Sequence, residues 1–209
     1  MRKKLLAALL ALACIVLPTQ FANAATDYST VRVRLSSSLD DLNIGVNGLY
    51  LLPEGNLTVT SDINVRLDSS KTALVVTQNG AQIYSGSSFQ LIRSADQGGR
   101  SGLLRMYNRQ HGWRYYLGDM KFTINAKGEV QVVNTIGMEE YLIGVVAYEM
   151  NNTWPLETLK SQAVAARSYV ACKLSPKASY DVVDTASDQV YKGYDASNTN
   201  VIAAVQATA

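Results

Sequence analysis

The chain has 209 residues, 47% of them hydrophobic, with 19 Lys+Arg against 17 Asp+Glu and a net charge of +2. That is enough for one domain or two small ones, and the absence of any basic run excludes a nucleic-acid partner. A single histidine, His111, leaves too few ligands for a zinc site of the usual types, and no metal or cofactor is implied.

Arg2, Lys3 and Lys4 precede an apolar stretch, Leu5 to Leu17, that is too short to span a bilayer comfortably. Ala22-Asn23-Ala24 then places small residues at the spacing of a signal-peptidase site. The pattern predicts a secretory signal over 1–24, with export to the envelope or the medium; an uncleaved N-terminal anchor is the alternative reading. Losing this segment removes three basic residues and leaves 16 against 17 acidic. It also leaves one cysteine, Cys172, which cannot form an internal disulfide and is predicted to be a buried, inert thiol.

From Thr30 to about Ile136 the dominant period is two. Val31, Val33 and Leu35 alternate with Arg32, Arg34 and Ser36, and Ile63, Val65 and Leu67 repeat the pattern. Leu74–Val76 and Gln82–Tyr84 flank Asn79-Gly80, a hairpin-turn signal. Met120, Phe122 and Ile124 lead through Asn125–Gly128 to Val130 and Val132, a second hairpin. Ser94–Gly102 reads as an exposed loop, and "RQHGWRYY" around His111 as a turn.

At Gly137 the period changes. Met138, Tyr141, Leu142, Val145 and Val146 fit a helical stripe. Pro155 suits the first position of a second helix, with Leu156, Leu159, Ala163, Ala166 and Val170 on one apolar face and Ser175-Pro176 beyond its end. Asp181 to Tyr194 reads as short strand and turn. Asn200 begins a third apolar helix that is still running at Ala209, so the chain is expected to be incomplete at its C-terminus. The predicted fold is α+β: an N-terminal antiparallel β-rich region, 25–133, followed by a helix-containing core, 134–209.

Glu149 lies two turns beyond Tyr141 on the stripe, with Val145 between them. There its carboxyl would meet apolar neighbours, be pushed toward its neutral form and serve as a general acid; a helix-end glutamate facing solvent is the alternative. Arg167 sits among Ala163, Ala165, Ala166 and Ser168 at the edge of the second helix's face. It either meets the polar groups of a sugar polymer or forms a structural ion pair with Glu149 or Glu139. Tyr148 and Trp154 flank the glutamate, as sugar-stacking faces or as packing. Gln189 and Tyr191 either hydrogen-bond a ligand or close a loop. Near His111 there is no serine signature, which rejects a Ser-His-Asp mechanism.

The run "NTIGMEEYLIGVVAYEMNNTWPLETLKSQAVAARSYVACK", residues 134–173, resembles the signature of the SpoIID/LytB family, which includes stage II sporulation proteins D and amidase enhancers. "YDVVDTASDQVYKG" is similar to the family's following segment, so the likeness runs from about 134 to 194. Departures are small: Ile136, Thr158 and Ser161 replace common family residues. The resemblance implies a peptidoglycan lytic transglycosylase that cuts between N-acetylmuramic acid and N-acetylglucosamine in wall remodelling or sporulation and leaves a 1,6-anhydromuramoyl end. It puts the catalytic glutamate at Glu149 and a site arginine at Arg167; Ser168, Tyr148, Trp154, Gln189 and Tyr191 complete the candidate substrate-binding set. A typical glycosidase needs two carboxylates, and Asp184 or Asp188 would supply the second if the reaction were hydrolysis. The amidase-enhancer members imply an alternative, a non-enzymatic activator whose partner is a cell-wall amidase.

Overall fold

The computed structural model describes residues 28–36, 41–94, 102–108 and 111–209. The expected signal at 1–24 and residues 95–101 of the expected loop lie outside them. In chain order the described residues form β1 (Thr30–Leu35), β2 (Asp41–Asn47), β3 (Tyr50–Leu52), β4 (Leu57–Val59), β5 (Ile63–Leu67), β6 (Leu74–Gln78), β7 (Ala81–Gly86), β8 (Ser88–Arg93), β9 (Leu103–Asn108) and β10 (Gly112–Tyr116). There follow β11 (Asp119–Ile124), β12 (Val130–Gly137), α1 (Met138–Glu149), α2 (Leu156–Ala171), β13 (Val182–Val183) and α3 (Thr199–Gln206). The fold is α+β, as the change of period at Gly137 predicts.

Among the described residues the strands make a seven-stranded sheet, β13-β1-β12-β11-β8-β3-β4, and a six-stranded sheet, β10-β9-β2-β5-β6-β7. Alternation sets which face is buried. Val31, Val33 and Leu35 of β1 and Ile63, Val65 and Leu67 of β5 all point inward, into one apolar cluster that takes side chains from both sheets and all three helices. The β6–β7 hairpin turns on Asn79 (φ 52°) and Gly80 (φ 80°), the left-handed pair that a two-residue turn between twisted strands requires. The β11–β12 turn closes with Asn125 and Glu129 bonded backbone to backbone at 2.9 Å.

The boundary expected at 133/134 falls inside β12, and β13 returns to pair in parallel with β1. Arg32 reinforces that return. Its Nη2 donates to Asp181 Oδ1 at 2.6 Å and to the Ser175 carbonyl at 2.5 Å, tying the 175–181 loop to β1.

Four expectations need correction. The third helix is not still running at Ala209: it ends at Gln206, with Ala207 as its cap. "RQHGWRYY" is not a turn throughout: Gly112–Tyr116 pair with Asn108–Leu104 as strand β10. The run Trp-Arg-Tyr-Tyr has high strand preference, but its aromatic residues at 113 and 115 face outward and so mimic no half-buried pattern. Cys172 is exposed just past the end of α2, not buried. Leu156, expected on the apolar face of α2, is exposed in the first turn, while Leu159, Ala163, Ala166 and Val170 are buried as expected.

α1 is enclosed more completely than a stripe implies. It packs on β1 and β12 and is flanked by α2 and α3, so Ile143 and Gly144 are buried as well as the stripe residues. Gly144 permits a close pass. A Cβ there would stand 2.4 Å from the Gly193 carbonyl oxygen, and one on Gly193 (φ 75°) would stand 2.1 Å from that of Tyr115. The chain at 191–194 therefore threads between α1 and β10, with the Tyr194 N–H donating to the Tyr115 carbonyl at 2.7 Å.

Candidate functional site

Glu149 is the last residue of α1, and there the stripe leaves the core. Tyr141 and Val145 are fully buried, whereas Glu149 is exposed. The apolar surroundings expected for its carboxyl are absent: Tyr148 and Glu149 are exposed at the helix end, while Val146 is buried and Ala147 and Met150 pack against the core. What holds the carboxylate is polar: Gln162 of α2 donates from Nε2 to Glu149 Oε2 at 2.5 Å. Gln162 carried no signal of its own in the sequence, since a half-buried glutamine on a helix flank is common.

Beneath the glutamate lies a buried hydroxyl. Tyr141 donates to Gln189 Oε1 at 3.2 Å, and the Gln189 amide in turn donates to the Ala166 carbonyl at 3.5 Å. Burial pushes the Tyr141 hydroxyl far above its ordinary range, and the charges of Asp188 and Glu149 push the same way. Both carboxylates thus act on one phenol. Tyr141, Glu149, Gln162 and Asp188 form a polar patch at the joint of α1, α2 and the 184–189 loop.

The two candidate second carboxylates are occupied. Asp184 is fully buried and accepts from the Ser36 backbone N–H at 2.9 Å, from the Ser36 hydroxyl and from Asn108 Nδ2 at 2.9 Å. Asp188 accepts the Val183 N–H at 2.9 Å and the Tyr169 hydroxyl at 3.3 Å, and pairs with Lys173 at 3.4 Å.

Arg167 is not beside Glu149. Its Nε and Nη2 donate to the two oxygens of Glu139 at 2.9 and 2.6 Å, and Nη2 also reaches Thr208 Oγ1 at 3.3 Å. Glu139 and Glu149 lie at opposite ends of α1, about 15 Å apart along its axis. Of the readings the sequence left open, the geometry is that of the ion pair, with Glu139 as partner. Ser168 is exposed and its hydroxyl donates to the Val164 carbonyl at 2.9 Å, a bond within its own helix.

Gln189 and Tyr191 are corrected as ligand contacts. Both are buried, and Tyr191 packs between Tyr141 and Tyr116 while donating to Asn134 Oδ1 at 3.0 Å. Tyr148 and Trp154, by contrast, are exposed. The Tyr148 ring carries the Lys192 ammonium 3.5 Å from its centroid. Of the sequence-derived set, the structure therefore leaves Glu149, Tyr148, Trp154 and Ser168 open to a ligand and builds Gln189 and Tyr191 into the support beneath.

The family profile described as Stage II sporulation protein matches residues 126–209. An uncharacterised protein of Brachyspira hyodysenteriae is 41% identical over 101 residues, covering 47% of this chain and 27% of that protein. Stage II sporulation protein D of Bacillus subtilis is 46% identical over 69 residues, 30% of this chain and 20% of the relative. The amidase enhancer of Bacillus subtilis is 48% identical over 60 residues, 28% of this chain and 8% of the relative. The matched stretches thus span about a quarter or less of each relative's length. No solved structure matches the chain significantly. Residues 126–209, the region that holds Glu149 and its supporting bonds, are thus similar to the SpoIID/LytB family.

Proposed function

We propose that the protein is a peptidoglycan lytic transglycosylase of cell-wall remodelling or sporulation, exported by the segment 1–24, with Glu149 as its acid and base. The observation that carries this reading is a surface carboxylate fixed by one amide, Gln162, at the end of a buried helix. In the first step protonated Glu149 gives its proton to the glycosidic oxygen leaving C1 of N-acetylmuramic acid. The same sugar's 6-hydroxyl attacks C1, and its proton passes to the Glu149 carboxylate. The C1–O4 bond is broken, a C1–O6 bond is formed, the acid is regenerated and no water is consumed. Gln162 holds one oxygen of the carboxylate, so the other is the one that carries the proton.

A one-carboxylate reaction also suits the neighbourhood. A hydrolase needs a second carboxyl free to act on water or on C1, and Asp184 and Asp188 are both engaged within the fold. Arg167 supports the site at one remove, by bracing α2 against the start of α1. The test is product analysis on peptide-free glycan with no other enzyme present. Wild type is expected to release anhydro-ended sugars and Glu149→Gln none, while the unprocessed chain yields a mature form beginning near Ala25.

The likeness to a relative named amidase enhancer favours a second reading, an activator of a wall amidase. It is the one to adopt if neither protein cuts glycan and both stimulate an added amidase equally.

A further inference from the structure

Strand β10, at the edge of its sheet, carries two outward aromatic rings. Trp113 and Tyr115 are 45% and 47% exposed, on one face and about 7 Å apart along the strand. The inward residues of the same ladder, Leu104, Met106 and Tyr116, are buried, so the core is complete without these rings. Their neighbours hold them in place. Tyr107 stands opposite Trp113 and meets it edge-on at 5.7 Å, and the Arg105 guanidinium lies 4.3 Å from the indole centroid.

Beyond Tyr115 the surface falls into a groove of about 670 Å³, walled by β10 and α1 and floored by the chain from Lys192 to Asn198. Tyr148 stands on its α1 wall, under the Lys192 ammonium. Arg114 lines it too, with a buried Nε that has no partner among the described residues. On the other side of Trp113 is a second hollow of about 320 Å³, edged by Asn43, Asn64, Asn79 and Arg105. Trp113 borders both hollows, which makes them one track across the β10 edge. The track ends at Tyr148, the residue before Glu149 in the last turn of α1; the Glu149 side chain turns about 100° away from it, to Gln162 of α2.

We propose that this track is a glycan subsite that grips the peptidoglycan strand beside the bond at Glu149; it rests on the transglycosylase reading of that residue. A pyranose offers a flat face of C–H groups and an edge of hydroxyls and amides. Exposed indole and phenol faces, negative at the ring centre, suit the former, and the asparagine amides and arginines suit the latter. Charge selects the polymer. Arg105, Arg114 and Lys192 put three cations along the track against the two carboxylates of Asp62 and Asp195, a net positive balance, and muramic residues stripped of stem peptides carry free lactyl carboxylates. The track lies partly on residues 103–116, outside the family match at 126–209.

The chain has two tryptophans, so Trp154→Phe leaves Trp113 as the single indole reporter. Peptide-free glycan strands are titrated into Glu149→Gln/Trp154→Phe, where binding is read without turnover. The emission of Trp113 is expected to shift saturably, and Trp113→Ala in the Glu149→Gln background to weaken co-sedimentation with the glycan by about tenfold or more, with the melting temperature unchanged. Uncharged chitin oligomers are expected to bind several-fold more weakly; equal binding overturns the pairing of the cations with carboxylates. Glycan affinity unaltered by Trp113→Ala, with a silent indole, overturns the subsite. So does loss of amidase stimulation alone, which makes the track a protein-docking face. A wild type that binds through Trp113 yet makes no product refutes the reaction and leaves the subsite standing.

Discussion

Arg167→Ala decides whether the arginine braces the fold or touches the substrate. It donates to both oxygens of Glu139 at 2.6 and 2.9 Å, with the two side chains 22% and 36% exposed. With the charges about 4 Å apart and an effective dielectric of about 20, the gross attraction is about 4 kcal/mol. Dehydration and side-chain ordering offset most of it: fully exposed pairs retain about 0.2–1 kcal/mol, whereas breaking a buried pair costs about 3–5 kcal/mol. A forked pair at this intermediate exposure should be worth about 1–2 kcal/mol, or about 2–8 °C of melting temperature in a chain of this size. The assay is a double-mutant cycle of Arg167→Ala and Glu139→Ala, read by thermal melts and by glycan cleavage. Each single change is expected to lose the full amount, the double change little more than the larger single, and activity to fall equally in both. Additive stability losses, with activity lost only in Arg167→Ala, would refute the bracing role and put the guanidinium on the substrate.

Gly144→Ala should cost about 3 kcal/mol or more and depress soluble yield, because its methyl meets the Gly193 carbonyl and the Tyr191 ring in a closed space; a melting temperature like wild type would mean that the 191–194 segment is free to move. For Asp181, burial is the largest influence and acts to raise the pKa, but the hydrogen bonds from the Arg32 side chain and from the backbone N–H groups of Ser175 and Arg32 outweigh it and hold the carboxyl below its ordinary value. The folded pKa is thus below the unfolded one, so this stability is present above pH ~4 and is lost as acid protonates the folded carboxyl. Asp181→Asn should lose about 3 kcal/mol at neutral pH and show a shallower acid loss than wild type in urea melts at stepped pH. Cys172, exposed at the end of α2, should react fully with a thiol reagent in the native protein; protection until unfolding would return it to the core.

The elements most legible in the sequence are those in which local chemistry and tertiary packing agree. Asn79-Gly80 can do little but turn, and the alternation in β1 and β5 survives because each has one face inside. Glu149 was legible as a residue but not in its setting: spacing places it over Tyr141, yet only the assembled fold shows that its side of the helix end is open while Val146 stays buried. The partner of Arg167 was one of two glutamates at plausible helical distance, and the choice depends on how α2 lies across α1. Gln189 and Tyr191 stayed open between bonding a ligand and closing a loop because their burial comes with the passage between Gly144 and Gly193, a contact between segments about fifty residues apart. The aromatic edge of β10 stayed hidden because outward rings leave no apolar period to read.

The most direct test of the central claim is the fate of water during cleavage. Peptide-free glycan is digested by the protein in heavy-oxygen water and the new ends are weighed by mass spectrometry, with Glu149→Gln alongside. One carboxylate working without water predicts muramic ends one water lighter than the hydrolysis product, free of heavy oxygen, and no new ends from Glu149→Gln. Heavy oxygen at the new reducing ends, or substantial cleavage by Glu149→Gln, would contradict the account and require a second carboxylate at the site.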